Sequence, residues 1–233
     1  MRKYDFFFLM MLIISGTWSS STAARSQAEI SVGVTEMPFL LSRTPKQRGP
    51  YNDAFDKIKA SGQRVEIVYV PPARAELLYQ QKKVNCLFPG SLENMEGKHQ
   101  MIESNPLATV HAYVFSLEEK DVKPDIKAQR IAIRRGFSFD SIRKKLNAEF
   151  IDVNSEVVAI QFLLKQRVDA IVSYLSDLQG AQQALNLTTT EFYKSTSIYA
   201  ANEAFICHNT SKNNDFVRKV NALFPKTEKL NSP

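Results

Sequence analysis

The chain has 233 residues, 44% hydrophobic and 23% charged, with a formal net charge of +6. That length fits one large domain or two small ones at about 150 residues each, and the composition excludes wholesale disorder. Two cysteines are too few for a disulfide scaffold or a four-ligand zinc site, and the longest basic runs, Arg134-Arg135 and Lys144-Lys145, are only pairs, which argues against a nucleic-acid surface.

The chain opens with Arg2 and Lys3, an apolar run from Phe6 to Ile14, and small residues from Ser19 to Ala24. This order of charge, apolar run and small residues is that of a secretory signal peptide over residues 1–24. Cleavage is expected after Ala24, or alternatively after Ala28. The run is shorter than the roughly 20 residues a bilayer span needs, and no cysteine lies nearby to carry a lipid. The expected product is an exported, periplasmic protein without stable membrane insertion. In an oxidising compartment, Cys86 and Cys207 are either two buried thiols or one disulfide; sequence alone leaves both open.

Strands and helices then alternate. Glu29–Met37 reads as a strand, with Ile30, Val32 and Val34 apolar. Asn52 or Asp53 is placed to cap a helix that reaches about Ser61 and stops at Gly62. Arg64–Val70 alternates as a strand, Pro71-Pro72 breaks it, and a helix runs from about Ala73 to Gln81. Val84–Phe88 is a compact strand closed by Pro89-Gly90. The extended stretch Thr109–Leu117 follows. Arg130–Ile133 is a strand, Gly136 a turn, and a helix runs from about Phe139 to Leu146. Phe150–Val153, Ser155–Lys165 and Val168–Tyr174 read as strand, helix and strand, and Ile198–His208 is a second extended stretch. A last helix covers about Asn213–Phe224.

The pattern repeats. A shift of 84 residues lays Ile67 on Ile151, Ala75 on Ala159, Val84 on Val168 and Asn85 on Asp169, and a shift of 101 lays Ile30 and Val32 on Ile131 and Ile133. Alternating strands and helices demand crossover connections and a largely parallel sheet. The fold class expected is α/β, as two similar lobes joined by two extended strands with a ligand cleft between them. Lobe one takes residues 25–110 and 200–233, and lobe two takes 111–199. Such clefts, at the carboxyl ends of parallel strands, bind small molecules.

Several residues are candidates for that cleft. Ser138, with Gly136 before it, sits where a helix begins and could cradle an anion on free N–H groups, or simply cap the helix. Arg74 follows the double proline at a strand end and could grip a planar anion. Lys98 offers a point charge, and Ser91 a hydroxyl or amide. Phe39, Phe137 and Tyr174 could wall the site. His99, His111 and His208 have no metal-ligand spacing, and no nucleophile elbow or P-loop occurs. No catalytic residue, metal or cofactor is expected.

Five segments carry a resemblance: Ile30–Thr35 with Pro38-Phe39; Gly49–Phe55; Val70-Pro71-Pro72-Ala73-Arg74 leading to Lys83-Val84-Asn85; Arg135-Gly136-Phe137-Ser138; and Arg167-Val168-Asp169-Ala170. Together they resemble the type II periplasmic solute-binding proteins, in the branch of amino-acid-binding components of ABC importers. The resemblance implies a monomer that presents a small solute to an ABC permease or to a membrane sensor protein. It also implies that the strands holding Cys86 and Cys207 are neighbours, which would make a disulfide. Two departures affect the ligand. The family's carboxylate-clamping Arg falls on Lys98, and its ammonium-holding Asp falls on Ser173-Tyr174, where there is no acid. A small polar anion is therefore expected rather than a zwitterionic amino acid. The alternative is an exported enzyme of the same fold, like the cyclohexadienyl dehydratases, with Glu36 the nearest acid. A structural or adhesion protein without ligand is a third reading.

Overall fold

The computed structural model describes residues 30–92, 95, 97–119, 129–135, 142, 143, 146, 148–187 and 192–226. The proposed signal segment thus lies outside the described residues. Five strands and two helices come first: β1 (Ile30–Val34), α1 (Pro50–Ala60), β2 (Val65–Tyr69), α2 (Pro72–Gln80), β3 (Cys86–Gly90), β4 (Met101–Glu103) and the long β5 (Ala108–Ser116). Then follow β6 (Arg130–Arg134), β7 (Glu149–Val153), α3 (Glu156–Leu164), β8 (Ala170–Tyr174), α4 (Leu175–Ala184), β9 (Tyr193–Lys194), β10 (Tyr199–His208) and α5 (Ser211–Leu223). No helix among the described residues is long and apolar enough to cross a membrane.

The strands hydrogen-bond in the order β2-β1-β3-β10-β5-β8-β6-β7. One parallel trio, β2-β1-β3, forms the first lobe's sheet, and a second, β7-β6-β8, forms the other's. Between them run β10 and β5, antiparallel to each other and to the trios they flank. The repeat is structural. β2 and β7, α2 and α3, and β3 and β8 each begin and end 84 residues apart. The first strands differ from the expected shift of 101: β1 and β6 lie 100 apart, with Ile30 opposite Val65 and Arg130 opposite Glu149. The structural match lays the apolar face of β1, Ile30, Val32 and Val34, on Arg130, Ala132 and Arg134 of β6, so matching apolar residues by sequence is one residue out of phase.

Local chemistry sets the helix ends. α1 starts at Pro50, earlier than a cap at Asn52 or Asp53 would allow, because proline is pre-shaped for a first helical position. Asn52 instead sits inside the first turn, where its Oδ1 accepts from the Gly49 and Ser42 N–H groups, both at 3.0 Å. Ser155 caps α3 by accepting from Val158 N, and Thr210 caps α5 by accepting from Asn213 N, each at 3.3 Å. Gly62, at φ 86°, adopts the left-handed geometry that ends α1. The strand expected at Val84–Phe88 runs instead from Cys86 through Pro89 to Gly90, antiparallel to β10.

Each lobe has its own core. Phe55, Phe88, Phe205 and Phe216 interlock in the first, with ring centroids 4.6–5.7 Å apart. Ile131, Ile133 and Val172 fill one face of the second sheet, and Ile160, Leu163 and Ile171 fill the other. Cys86 and Cys207 lie opposite each other in the β3–β10 pairing, both fully buried, with their sulfurs joined. The bond closes 121 residues of chain. A crosslink that long restricts the unfolded chain by about 4–5 kcal/mol in the entropy treatment, and loss of such bonds costs about 2–5 kcal/mol in practice. Replacing both cysteines by serine should lower the unfolding free energy by about that amount in denaturant titration. Intact protein measured without reductant should be two hydrogens lighter than the dithiol, and two free thiols would refute the bond.

Candidate functional site

The carboxyl ends of four parallel strands, two from each lobe, open on one cavity of about 500 Å³. Thr35 and Glu36 follow β1, Val70 follows β2, Arg135 follows β6 and Asn154 follows β7. Thr35 and Arg135 occupy matching positions in the repeat, as do Val70 and Asn154. The cavity therefore lies between matching strand ends of the two lobes. Pro71, Pro72 and Arg74 complete its first-lobe wall at the start of α2, and Arg43 reaches in from the loop before α1.

The cavity is rich in guanidinium groups. Arg43 is already engaged: it pairs with Glu36 at 3.2 Å and lies over the Tyr69 ring at 5.4 Å. Arg48, Arg130, Arg134, Arg143 and Arg218 each have a carboxylate partner elsewhere. Among the described residues, Arg74 and Arg135 have none. Both are exposed to the water of the cavity. Glu36 is engaged at both oxygens. Its Oε1 accepts from Ser42 Oγ at 2.9 Å and Arg43 N at 3.1 Å, and its Oε2 accepts from the Arg43 guanidinium. Burial works to raise its carboxyl, but the Ser42 and Arg43 hydrogen bonds and the Arg43 charge together hold it below its ordinary value.

One residue before Arg135, Arg134 is buried and belongs to a second charge cluster. It pairs with Glu156 at 3.2 Å and Asp177 at 3.1 Å. In the first lobe the matching position is Val34, part of the apolar core. The Asp177 charge raises the proton affinity of Glu203 on β10, and the Tyr51 hydroxyl of α1 donates to Glu203. The cluster thus joins α1 and β10 to β6, α3 and α4. Burial pushes both Asp177 and Glu203 well above the ordinary carboxyl range; for each it outweighs the attraction of Arg134. Three buried carboxyl groups share one guanidinium, so full ionisation would strand uncompensated negative charge.

A second cavity, of about 660 Å³, lies beside α4 and is lined by Phe39, Leu40, Phe115, Leu178, Phe192 and Lys194 among others. Here the backbones of the two lobes meet. A Cβ on Gly180 of α4 would stand 2.2 Å from the Pro38 carbonyl oxygen.

The candidates read from sequence are dispersed. Arg74 lines the arginine cavity and Phe39 the second one. Tyr174 is buried at the end of β8, and Ser91 is buried just past β3. Lys98 is exposed in a short turn before β4. Gly136, Phe137 and Ser138 lie outside the described residues. Arg135 and Arg43 were not singled out from sequence. The adjacent arginines at the end of an apolar strand were the available signal for the first, and nothing in the sequence marked the second.

No protein-family model matches the sequence, and no curated protein matches it either. Solved structures do. The ligand-binding core of GluR0 in complex with L-glutamate is 15% identical, covering 85% of this chain and 93% of its own, with a TM-score of 0.67. A histidine kinase sensor domain with similarity to periplasmic binding proteins is 15% identical, covering 85% and 92%, at 0.67. The arginine-, lysine-, histidine-binding protein ArtJ from Geobacillus stearothermophilus is 18% identical, covering 83% and 88%, at 0.66. The chain has the fold of the type II periplasmic binding proteins. At these identities the likeness concerns the fold alone.

The buried carboxyls make stability depend on pH, and the sign follows from their raised values. Unfolded, Asp177 and Glu203 ionise near pH 4. Folded, they keep their protons to higher pH, so the folded chain holds more protons than the unfolded one in that window. Stability is then fully present below about pH 4 for these groups and falls as pH rises, by up to about 1.4 kcal/mol per unit per group. Burial lowers the His208 imidazole despite its bond to the Tyr79 carbonyl, which opposes the trend below about pH 6.5. Denaturant titrations at pH 5, 7 and 9 should show stability falling most between 5 and 7 and little beyond about 8, because Asp177 is raised to about 7 and Glu203 to about 8, and Glu203→Gln should flatten that fall. A profile unchanged by the substitution would contradict the assignment.

Proposed function

We propose that this chain is an exported solute-binding protein, which takes a small anionic solute into the interlobe cavity and closes its lobes around it. The observation that carries the reading is the cavity, where strand ends from both lobes converge and two arginines lack a carboxylate partner among the described residues. Guanidinium groups on opposite walls could both reach one ligand when the lobes close, and burial then strengthens each contact. Lobe one would comprise residues 25–110 and 200–233, and lobe two 111–199. The first 24 residues would act as an export signal, placing the protein in the periplasm. The folded form would act as a monomer and present its closed surface to an ABC permease or a membrane sensor protein. The structural neighbours include an amino-acid transporter's binding protein and a sensor domain, which supports both kinds of partner without choosing between them.

Glu36 weighs against the dehydratase alternative, whose chemistry needs a general acid. A general acid must hold a proton at neutral pH. Glu36, the sole carboxyl among the described residues on the cavity wall, is held ionised by Ser42 and Arg43.

A thermal-shift screen of solutes tests the reading. A true ligand at a hundredfold excess over its Kd should stabilise the protein by about 2.7 kcal/mol. Arg74→Ala should remove most of that gain and leave the melting temperature of the free protein unchanged. Incubation with prephenate or arogenate should yield no product; turnover would transfer the reading to the enzyme alternative.

A further inference from the structure

We infer that the solute is a small dianion without an ammonium group, either a dicarboxylate or a phosphate monoester. This rests on the solute-binding reading above and names the class of ligand for the same cavity. The inference follows from charge and hydrogen-bond accounting on the cavity wall. Arg43, Arg74 and Arg135 bring three positive charges, and Glu36 brings one negative charge. Arg43 and Glu36 satisfy each other. Two guanidiniums remain, one at the start of α2 in the first lobe and one after β6 in the second. Closure would draw both out of water, and each then needs its own negative charge nearby. A monoanion leaves one of them uncompensated, whereas a dianion satisfies both.

The same wall offers an ammonium no uncommitted carboxylate. A bound amino acid needs a carboxylate, or several free acceptors, for its amine. Both Glu36 oxygens already accept hydrogen bonds from Ser42 and Arg43. Among the described residues, the other polar side chains lining the cavity are Thr35, Tyr69 and Asn154, none of them charged, and Val70, Pro71, Pro72 and Ala73 are apolar. An ammonium placed there meets two arginines and no free acid. The buried acids Asp177 and Glu203 do not help, since neither lines the cavity. The preference therefore departs from the amino acids named for several structures of the same fold.

Calorimetric titration of the purified protein with succinate, glycerol 3-phosphate, acetate, L-glutamate and L-arginine tests this. Succinate or glycerol 3-phosphate should bind at least tenfold more tightly than acetate and L-glutamate, with no detectable L-arginine binding. Preference for succinate identifies the dicarboxylate form, and preference for glycerol 3-phosphate the phosphate form. Arg74→Ala and Arg135→Ala should each weaken the preferred dianion by about tenfold to a hundredfold. Arg218→Ala, whose guanidinium pairs with Asp215 on α5, should leave it unchanged. Tight L-glutamate or L-arginine binding that survives Arg135→Ala would overturn the dianion and leave the solute-binding reading intact. If a wide panel that also includes sugars and peptides gives no binding at all, the solute-binding reading itself falls.

Discussion

Strand β10 must satisfy backbone hydrogen bonds on behalf of both lobes. Its first half, Tyr199–Glu203, pairs with β5, and its second half lies between β3 and β4. Without it, β3 and β5 would each present a buried row of unpaired amides, which a protein interior does not tolerate. The changeover falls between Glu203 and Ala204. That one strand fixes which ends of the two parallel trios face each other, and so where the arginine cavity opens. The Cys86–Cys207 link then holds its later half covalently against β3, while its earlier half is held by hydrogen bonds to β5 and by the packing of Ala201.

The two lobes share a plan but not a chemistry. Where the first lobe has Val34, the second has Arg134, and the difference changes what the lobe junction is made of. An apolar residue there would have packed without electrostatic cost. The arginine instead requires Glu156 and Asp177 at its side, and it lies near Glu203 on the crossing strand. Such clusters contribute little net stability compared with apolar packing of the same volume. They do demand one geometry, because their hydrogen bonds are directional. Arg135, the next residue, faces water, so a single dipeptide supplies both a buried charge at the junction and an open one in the cavity.

Much of the architecture was legible in the sequence. Alternating strands and helices and the 84-residue repeat located most strands and helices of both trios, because buried parallel strands and their crossover helices leave strong periodic signals. Helix α4 was not legible. Its apolar residues Leu175, Leu178 and Ala181 do recur every third position, but Gly180 and the glutamines around it mask the pattern. Strands β4 and β9, three and two residues long, are too short to show any period. The candidate site was legible only in part. Arg74 declared itself through the prolines before it. Arg135 did not, because two adjacent arginines look like ordinary surface, and only the three-dimensional strand end separates one from the other. The partners of Arg134 lie 22 and 43 residues away in sequence, and local pattern cannot register such distances.

Gly180 explains its own poor helical character. A glycine inside a helix costs about 1 kcal/mol relative to alanine, yet here the Pro38 carbonyl rests where a methyl group would be. Two main chains touch with no padding between them. A single extra carbon would act as a shim and hold the halves slightly ajar. At this point the spacing between the two segments is the thickness of the peptide chain itself.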